Sequence, residues 1–224
     1  MTDGGTAAAG EAAAREIGYA PELYQTVWSF GVRTGGSVVD VGSDEAASSP
    51  FAENGFTVQR VDISKAAALP FPDERFDIAV SAQTFDAVDR ARTLSEMHRV
   101  LRRGGVVAIW WRQLAATDQL TALREDTFKA LGLQPVTEFT SGFKEFYASP
   151  FAEQTLRVIP WRTSTTLAQY VAEERSNARM HAALGDGTDR YLHELQSRLQ
   201  ERFGHGNPRL APAYVHFLYL ARKP

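Results

Sequence analysis

The residues with the clearest capacity for chemistry lie at the ends of two predicted strands near the start of the chain. The run 38–41 contains Asp40 and is followed by Gly42, and the run 56–61 is followed directly by Asp62. Runs of this length and composition are typical of buried parallel strands. A carboxylate at the end of the second strand of such a pair can accept hydrogen bonds from both hydroxyls of a ribose. The spacing therefore predicts a nucleoside-binding crevice bordered by these two acids and the glycine.

The elements that must position these residues are alternating strands and helices. Strands are predicted at 38–41, 56–61, 76–80 and 106–111, and helices at 22–28, 46–54 and 91–101. Pro50 is expected in the first turn of its helix, or else to break it, because proline lacks the N–H that an interior turn uses. Such alternation implies a mostly parallel sheet covered on both faces. Ligands of these sheets lie beyond the carboxyl ends of the strands, so Ser43, Ser81 and Gln83 should line the same crevice.

The second half of the chain has a different pattern. It predicts helices at 118–131, 167–181 and 189–203 and β segments at 155–161 and 213–221. No linker separates the halves. We therefore predict a single domain over residues 1–224, with a flexible tail at 1–15, a cofactor-binding half at 16–112, and a cap with C-terminal strands at 113–224.

Composition and charge narrow the class of protein. Of the 224 residues, 44% are hydrophobic and 23% charged, and the net charge is −3, which is typical of a globular protein and gives no reason to expect nucleic acid. The absence of cysteine excludes disulfides and thiolate metal sites. The chain start does not resemble a signal peptide, and no apolar run has membrane-spanning length. We therefore expect a cytoplasmic protein that binds no metal and acts on a small molecule. The sequence leaves open whether the protein forms a homodimer.

Four stretches of sequence resemble one known family. They are GYAPELY at 18–24, VVDVG at 38–42 with VDIS at 61–64, LPFPDERFDIAVSAQTFDAVD at 69–89, and EMHRVLRRGGVVAIWW at 96–111. Their order is similar to that in class I S-adenosylmethionine-dependent methyltransferases, in particular the methyltransferase type 11 group. The resemblance implies an α/β fold with a doubly wound, mostly parallel, Rossmann-like sheet and a helical cap before an antiparallel last strand. It also implies S-adenosylmethionine as cofactor, methyl transfer to a small-molecule acceptor, and a position for Tyr19 near the cofactor.

Two features depart from the family pattern. The stretch GSDEA at 42–46 replaces the family's G-C-G-T-G, so only the first glycine is retained and Asp44 and Glu45 add negative charge. Only six residues separate Asp62 from Leu69, where the family has a helix, a third strand and an acid that contacts adenine. The sheet is therefore predicted to lack its usual third edge strand, together with one wall of the adenine pocket.

The sequence leaves alternatives open for several residues and for the function. Asp86 is the candidate general base, or alternatively a cap for the helix that follows it. Asp44 and Glu45 are interpreted as a helix N-terminal pair that satisfies backbone donors. The function is either methyl transfer or that of a methyltransferase-like binding protein that has lost its cofactor. A nicotinamide dehydrogenase is disfavoured because the chain lacks G-x-G-x-x-G.

Overall fold

The structure, a computed structural model, describes residues 18–31, 35–135 and 142–224. Its helices are α1 Pro21–Phe30, α2 Glu45–Glu53, α3 Arg90–Val100, α4 Gln119–Ala130, α5 Lys144–Tyr147, α6 Leu167–Ser176, α7 Ala178–Leu184 and α8 Thr188–Phe203. Its strands are β1 Ser37–Val41, β2 Thr57–Val61, β3 Phe76–Ala82, β4 Leu101–Leu114, β5 Ala152–Arg162, β6 Thr165–Thr166, β7 Arg209–Leu210 and β8 Ala213–Arg222.

Six strands form one sheet in the order β2-β1-β3-β4-β8-β5. The pairs among β1, β2, β3 and β4 are parallel, whereas β8 is antiparallel to both β4 and β5. The chain moves outward from β1 to β2 and then crosses to β3 on the other side of β1, so the strand order reverses at β1. The predicted doubly wound, mostly parallel sheet with an antiparallel last strand is confirmed.

Helices cover both faces of this sheet. On one face, Leu23 of α1 and Phe51 of α2 are fully buried against strand residues such as Val38. On the other face, Met97 of α3 and Phe146 of α5 are fully buried. The result is a three-layer arrangement in which the central strand β1 is buried along its whole length, as a parallel strand under helices requires, whereas the edge strands β2 and β5 are largely exposed.

The segment between β2 and β3 shows how the sheet ends early. β2 is the edge strand, and within the described residues no strand pairs outside it. The chain returns instead through a short connection whose Leu69 is buried against the α3 face. Arg99 of α3 holds this connection, because its guanidinium donates to the carbonyl oxygens of Leu69 at 3.1 Å and Phe71 at 2.8 Å. The missing edge strand was predicted correctly.

The prediction for Pro50 was wrong. Pro50 is the sixth residue of α2, beyond the first turn, and the helix continues to Glu53. The proline removes the N–H that would reach the carbonyl oxygen of Ala46. The hydroxyl of Tyr24, from α1, donates to that oxygen at 3.3 Å and to the carbonyl oxygen of Ala47 at 3.2 Å. A side chain from another helix therefore satisfies the acceptor that the proline would leave unpaired.

The described residues divide into two compact units. One comprises 19–31, 35–115, 142–162 and 213–224 and holds the six-stranded sheet, and the other comprises Gly18, 116–135 and 163–212.

The second unit contains α4, α6, α7, α8 and the short β6–β7 ladder. Inside it Phe128 stacks on Tyr191 with ring centroids 4.6 Å apart, and Arg124 pairs with Glu174 at 3.4 Å. The continuous helix predicted at 167–181 is interrupted, because Asn177 ends α6 and caps α7. The single-domain organisation stays a prediction.

Candidate active site

The loop between β1 and α2 shows why one glycine is retained. Gly42 has a φ of +77°, and a Cβ atom placed on it would lie 2.4 Å from Cδ1 of Ile63. Its backbone N–H donates to the carbonyl oxygen of Val61 at 2.9 Å, which joins the end of β1 to the end of β2. Both the dihedral angle and the contact therefore require glycine at this position.

The two acidic residues of the substituted motif, Asp44 and Glu45, do not point into the loop. Asp44 has an ordinary φ of −71° and caps α2 by accepting a hydrogen bond from the Ala47 N–H at 2.8 Å. The Glu45 carboxylate is 80% exposed and lies 3.5 Å from the Arg60 guanidinium. Phe51, fully buried, packs edge-to-face against Tyr24 in the layer beneath. The interpretation of Asp44 and Glu45 as a helix N-terminal pair agrees with this geometry.

Asp40, near the end of β1, is 1% exposed and carries an unsatisfied oxygen. Its Oδ1 accepts from the Ser43 N–H at 3.3 Å, whereas its buried Oδ2 has no hydrogen-bond partner among residues 18–31, 35–135 and 142–224. Burial raises the pKa of Asp40 above its usual range, and the Ser43 and Ser48 groups oppose this shift only in part. A buried acceptor of this kind is stabilised by any donor that reaches it, such as an ammonium or hydroxyl group.

Asp62 follows β2 and is exposed. Its Oδ1 accepts hydrogen bonds from the N–H of Ser64 at 2.9 Å and from the Ser64 hydroxyl, and these bonds lower the pKa of Asp62. Among the described residues, none donates to its second oxygen. An ionised carboxylate at the end of the second strand is thus held in place with an acceptor available to a ligand.

Two serines predicted to line the crevice connect neighbouring strand ends. The Ser43 hydroxyl accepts from the N–H of Ala82, at the end of β3, at 2.7 Å. The Ser81 hydroxyl donates in the opposite direction, to the carbonyl oxygen of Val41 at 2.8 Å. These two bonds tie the end of β1 to the end of β3 at the point where the strand order reverses.

Gln83 and Asp86 lie in the loop after β3 and contact the end of β4. The Gln83 amide pairs with the backbone of Arg112, and one Asp86 oxygen accepts from the Trp111 indole N–H at 3.0 Å. The other Asp86 oxygen pairs with Arg90. The cap of α3 is Asp89, not Asp86, because Asp89 accepts from the Arg92 N–H at 3.0 Å. The alternative interpretation of Asp86 as the cap of this helix was therefore wrong.

Tyr19 is buried and forms part of an aromatic cluster on the α1 face. Its ring packs edge-to-face against Trp110, with centroids 5.7 Å apart, and the Arg112 guanidinium lies 5.3 Å from its centroid. His216 of β8, fully buried, contacts the same ring. The His216 Nε2 accepts from the Ala20 N–H at 3.4 Å, and Nδ1 lies 3.3 Å from the Ile159 carbonyl oxygen.

Sequence reasoning missed this anchoring role of His216. The alternating pattern of β8 placed it on the same face as the buried Leu218, and that was the signal that could have found it.

These residues fit S-adenosylmethionine, the cofactor that the resemblance predicts. Asp62 offers an open carboxylate oxygen suited to ribose hydroxyls, and Asp40 offers a buried acceptor without a partner. Gly42 brings the backbone between these two acids close to the β2 end. Asp44 and Glu45 are exposed and turned toward α2 and β2, so the acidic residues of the substituted motif do not oppose this fit.

The sheet order and the antiparallel last strand are those of a class I methyltransferase fold. Residues 16–109 match the family model of the methyltransferase domain.

Two curated relatives match over 80 residues, which is 35% of this chain. Both are named ubiquinone/menaquinone biosynthesis C-methyltransferase UbiE: the protein of Geobacter sulfurreducens is 38% identical and that of Geotalea daltonii 32% identical. The matched region covers 30% and 32% of their lengths, so the chain spans about a third of the relatives it matches.

Solved structures extend the likeness in fold to most of the chain. A putative type II methyltransferase from Anaeromyxobacter dehalogenans has a TM-score of 0.69 at 17% identity, covering 92% of this chain and 97% of that one. A putative methyltransferase from an antibiotic biosynthesis pathway of Anabaena variabilis has a TM-score of 0.55 at 15% identity, covering 88% and 96%. In the described part of the chain, no helix is long and apolar enough to cross a membrane. The same residues contain no group of three acidic or histidine side chains that could hold a metal.

Proposed function

We propose that this protein transfers a methyl group from S-adenosylmethionine to a small-molecule acceptor. The observation that carries the proposal is the pair of carboxylates at adjacent strand ends, Asp40 and Asp62, on either side of the Gly42 turn. One of these acids is buried with an unsatisfied oxygen, and the other is exposed and ionised. The matching methyltransferase family over residues 16–109 supports the same conclusion. A cofactor-free binding protein finds no support in this geometry.

The chain's own residues would bind and orient the reactants. Asp62 would accept the two ribose hydroxyls, and the free oxygen of Asp40 would accept a donor from the amino-acid end of the cofactor. Tyr19 would form a wall of the site. The bound cofactor supplies an electrophilic methyl group. An in-line displacement of this kind depends mainly on holding the reactants at near-attack distance, so no elaborate acid–base apparatus is needed.

We expect the Asp62→Asn substitution to weaken binding of S-adenosylhomocysteine by roughly tenfold to a hundredfold, because hydrogen bonds to a charged group contribute about 1.5–3 kcal/mol. Isothermal titration calorimetry measures this effect directly. Asparagine can still accept from the Ser64 N–H, so the local turn should persist.

Asp89→Asn is the matched control for this experiment. Asp89 is an exposed residue that caps α3, and asparagine caps a helix about as well as aspartate. Unchanged affinity in both variants would remove Asp62 from the site. No binding of either cofactor form by the wild-type chain at millimolar concentration would overturn the proposed function.

We further propose that Asp86 accepts the proton released by an acceptor that has one to lose. Arg90 and the Trp111 N–H hold its carboxylate beside the end of β4. Asp86→Asn should lower turnover by about 100-fold or more, as loss of a general base does. It should leave S-adenosylhomocysteine affinity unchanged, because the asparagine oxygen can still accept from the Trp111 indole N–H and keep the loop in place.

The acceptor for this assay would come from a screen with methyl-labelled cofactor. That screen should include acceptors that are methylated on carbon, since the matched relatives are named C-methyltransferases. Turnover of the Asp86→Asn variant equal to that of the wild type would eliminate Asp86 as the base.

A further inference from the structure

Gln83 extends the ladder between β3 and β4 with its side chain. The last main-chain pair of this ladder is Ala82 with Trp110, and the Gln83 N–H still donates to the Trp110 carbonyl oxygen at 3.0 Å. Beyond that point the side-chain amide of Gln83 makes the hydrogen bonds to β4. Its Oε1 accepts from the Arg112 N–H at 2.9 Å, and its Nε2 donates to the Arg112 carbonyl oxygen at 3.0 Å. One amide group thus satisfies both polar groups of a β4 residue.

The backbone of Gln83 turns away from the sheet at the same residue. Its φ of +62° lies in the left-handed region, which costs a residue with a side chain about 1–2 kcal/mol relative to the right-handed region. Glycine or asparagine would adopt this angle more readily. Neither has a side chain long enough to replace that of Gln83, so the two hydrogen bonds explain why glutamine occupies a strained position. Strain of this kind is found where the local geometry serves a site.

The loop that leaves the sheet at Gln83 contacts the end of β4 a second time. Asp86, three residues later, accepts from the indole N–H of Trp111, the neighbour of Arg112. Within the loop, the Ala87 N–H donates to the Thr84 carbonyl oxygen at 2.9 Å. The loop is therefore held by two adjacent β4 residues, through the Gln83 amide and through the Asp86 carboxylate.

We infer that Gln83 is a positioning residue that fixes the loop at 83–88, and with it Asp86, against the end of β4. If the loop is displaced, cofactor binding between the ends of β1 and β3 should weaken. Only this consequence rests on the proposed function. Gln83 itself need not touch the cofactor. We call the two hydrogen bonds between the Gln83 amide and the backbone of Arg112 the Gln83 clamp. The clamp holds both the N–H and the carbonyl oxygen of Arg112.

Two substitutions separate the effect of the Gln83 hydrogen bonds from the effect of its strained backbone angle. Gln83→Asn keeps an amide and tolerates the left-handed angle, but it is one methylene too short to bridge to Arg112. Gln83→Gly removes the side chain and relieves the strain, so it should fold even if the asparagine variant does not. In both, we expect amide hydrogen exchange at Arg112 and at Ala87 to accelerate by roughly tenfold, the effect of losing about 1.4 kcal/mol of hydrogen bonding. S-adenosylhomocysteine should bind roughly tenfold more weakly to both.

Gln154→Asn is the matched control. The Gln154 amide also bridges backbone groups in the sheet-containing unit, the carbonyl oxygens of Phe146 at 2.8 Å and Ser149 at 3.3 Å. This variant should leave exchange at Ala87 and ligand affinity unchanged.

Faster exchange at Arg112 with unchanged exchange at Ala87 would overturn the inference, because the clamp would then not hold the loop. Unchanged affinity in both Gln83 variants, with a wild-type chain that binds, would overturn the consequence for the cofactor site. If the wild type binds no ligand, the proposed function fails, and the exchange data alone still decide whether Gln83 positions the loop.

Discussion

The Gly42→Ala substitution should lower the free energy of unfolding by about 3 kcal/mol, combining a left-handed backbone penalty with overpacking. The φ of Gly42 is +77°, and the added methyl would lie 2.4 Å from Cδ1 and 2.9 Å from Cβ of Ile63. The Cβ of Ile63 is bonded to the backbone of the turn that follows Asp62, so a change of side-chain rotamer at Ile63 does not relieve that contact. Urea denaturation followed by circular dichroism measures the change, and the variant should also lose affinity for S-adenosylhomocysteine.

Gly55→Ala isolates the backbone penalty from the steric one. Gly55 has a similar φ of +82°, but apart from Gly55 and its two chain neighbours no heavy atom of the described residues lies within 4 Å of the position its Cβ would take. We expect this variant to lose only about 1 kcal/mol. Ile63→Ala introduced into the Gly42→Ala chain should restore part of the lost stability, since it removes Cδ1 and leaves Cβ. Equal losses at the two glycines would show that contact with Ile63 is not what requires glycine at position 42.

The fold could be predicted well because its signals are local. The strand at 38–41, the helix after Pro21 and the alternation in the last strand follow from hydrophobic period and from proline and glycine positions, and each is present with bounds shifted by a few residues. The missing edge strand could be predicted from the interval of six residues after Asp62. The position of Pro50 inside α2 could not be predicted. The helix accommodates this proline because the Tyr24 hydroxyl, which comes from a different helix, satisfies the carbonyl oxygen of Ala46.

The candidate site could be predicted in location but not in the partners of its side chains. The positions of Asp40 and Asp62 could be predicted from the ends of their strands. The structure places them at the ends of two adjacent parallel strands. Ser43 and Gln83 bond instead to backbone groups of other strands, and such partners depend on register and on a left-handed turn that no sequence pattern marks. Their direct contact with a cofactor stays a prediction.

The pH dependence of stability should contain a large contribution from His216. This imidazole is fully buried, and burial lowers its pKa from 6.5 to about 4, a direction that the nearby Arg112 charge reinforces. Between these two values the unfolded chain binds a proton at this residue and the folded chain does not. Stability from His216 is therefore fully present above about pH 6.5, decreases as the pH falls toward 4, and changes no further below that.

The expected loss between pH 7 and pH 4 is about 3 kcal/mol, from a shift of about 2.5 pKa units. His216→Gln should lack this component, so the difference in unfolding free energy between wild type and variant should shrink by that amount across the range. His205→Gln, at an exposed position, should follow the wild-type curve. Nuclear magnetic resonance titration of the imidazole protons gives the folded pKa independently. Parallel curves for wild type and the His216 variant, or a measured pKa near 6.5, would contradict the assignment of His216 as the buried, neutral anchor of the Tyr19 segment.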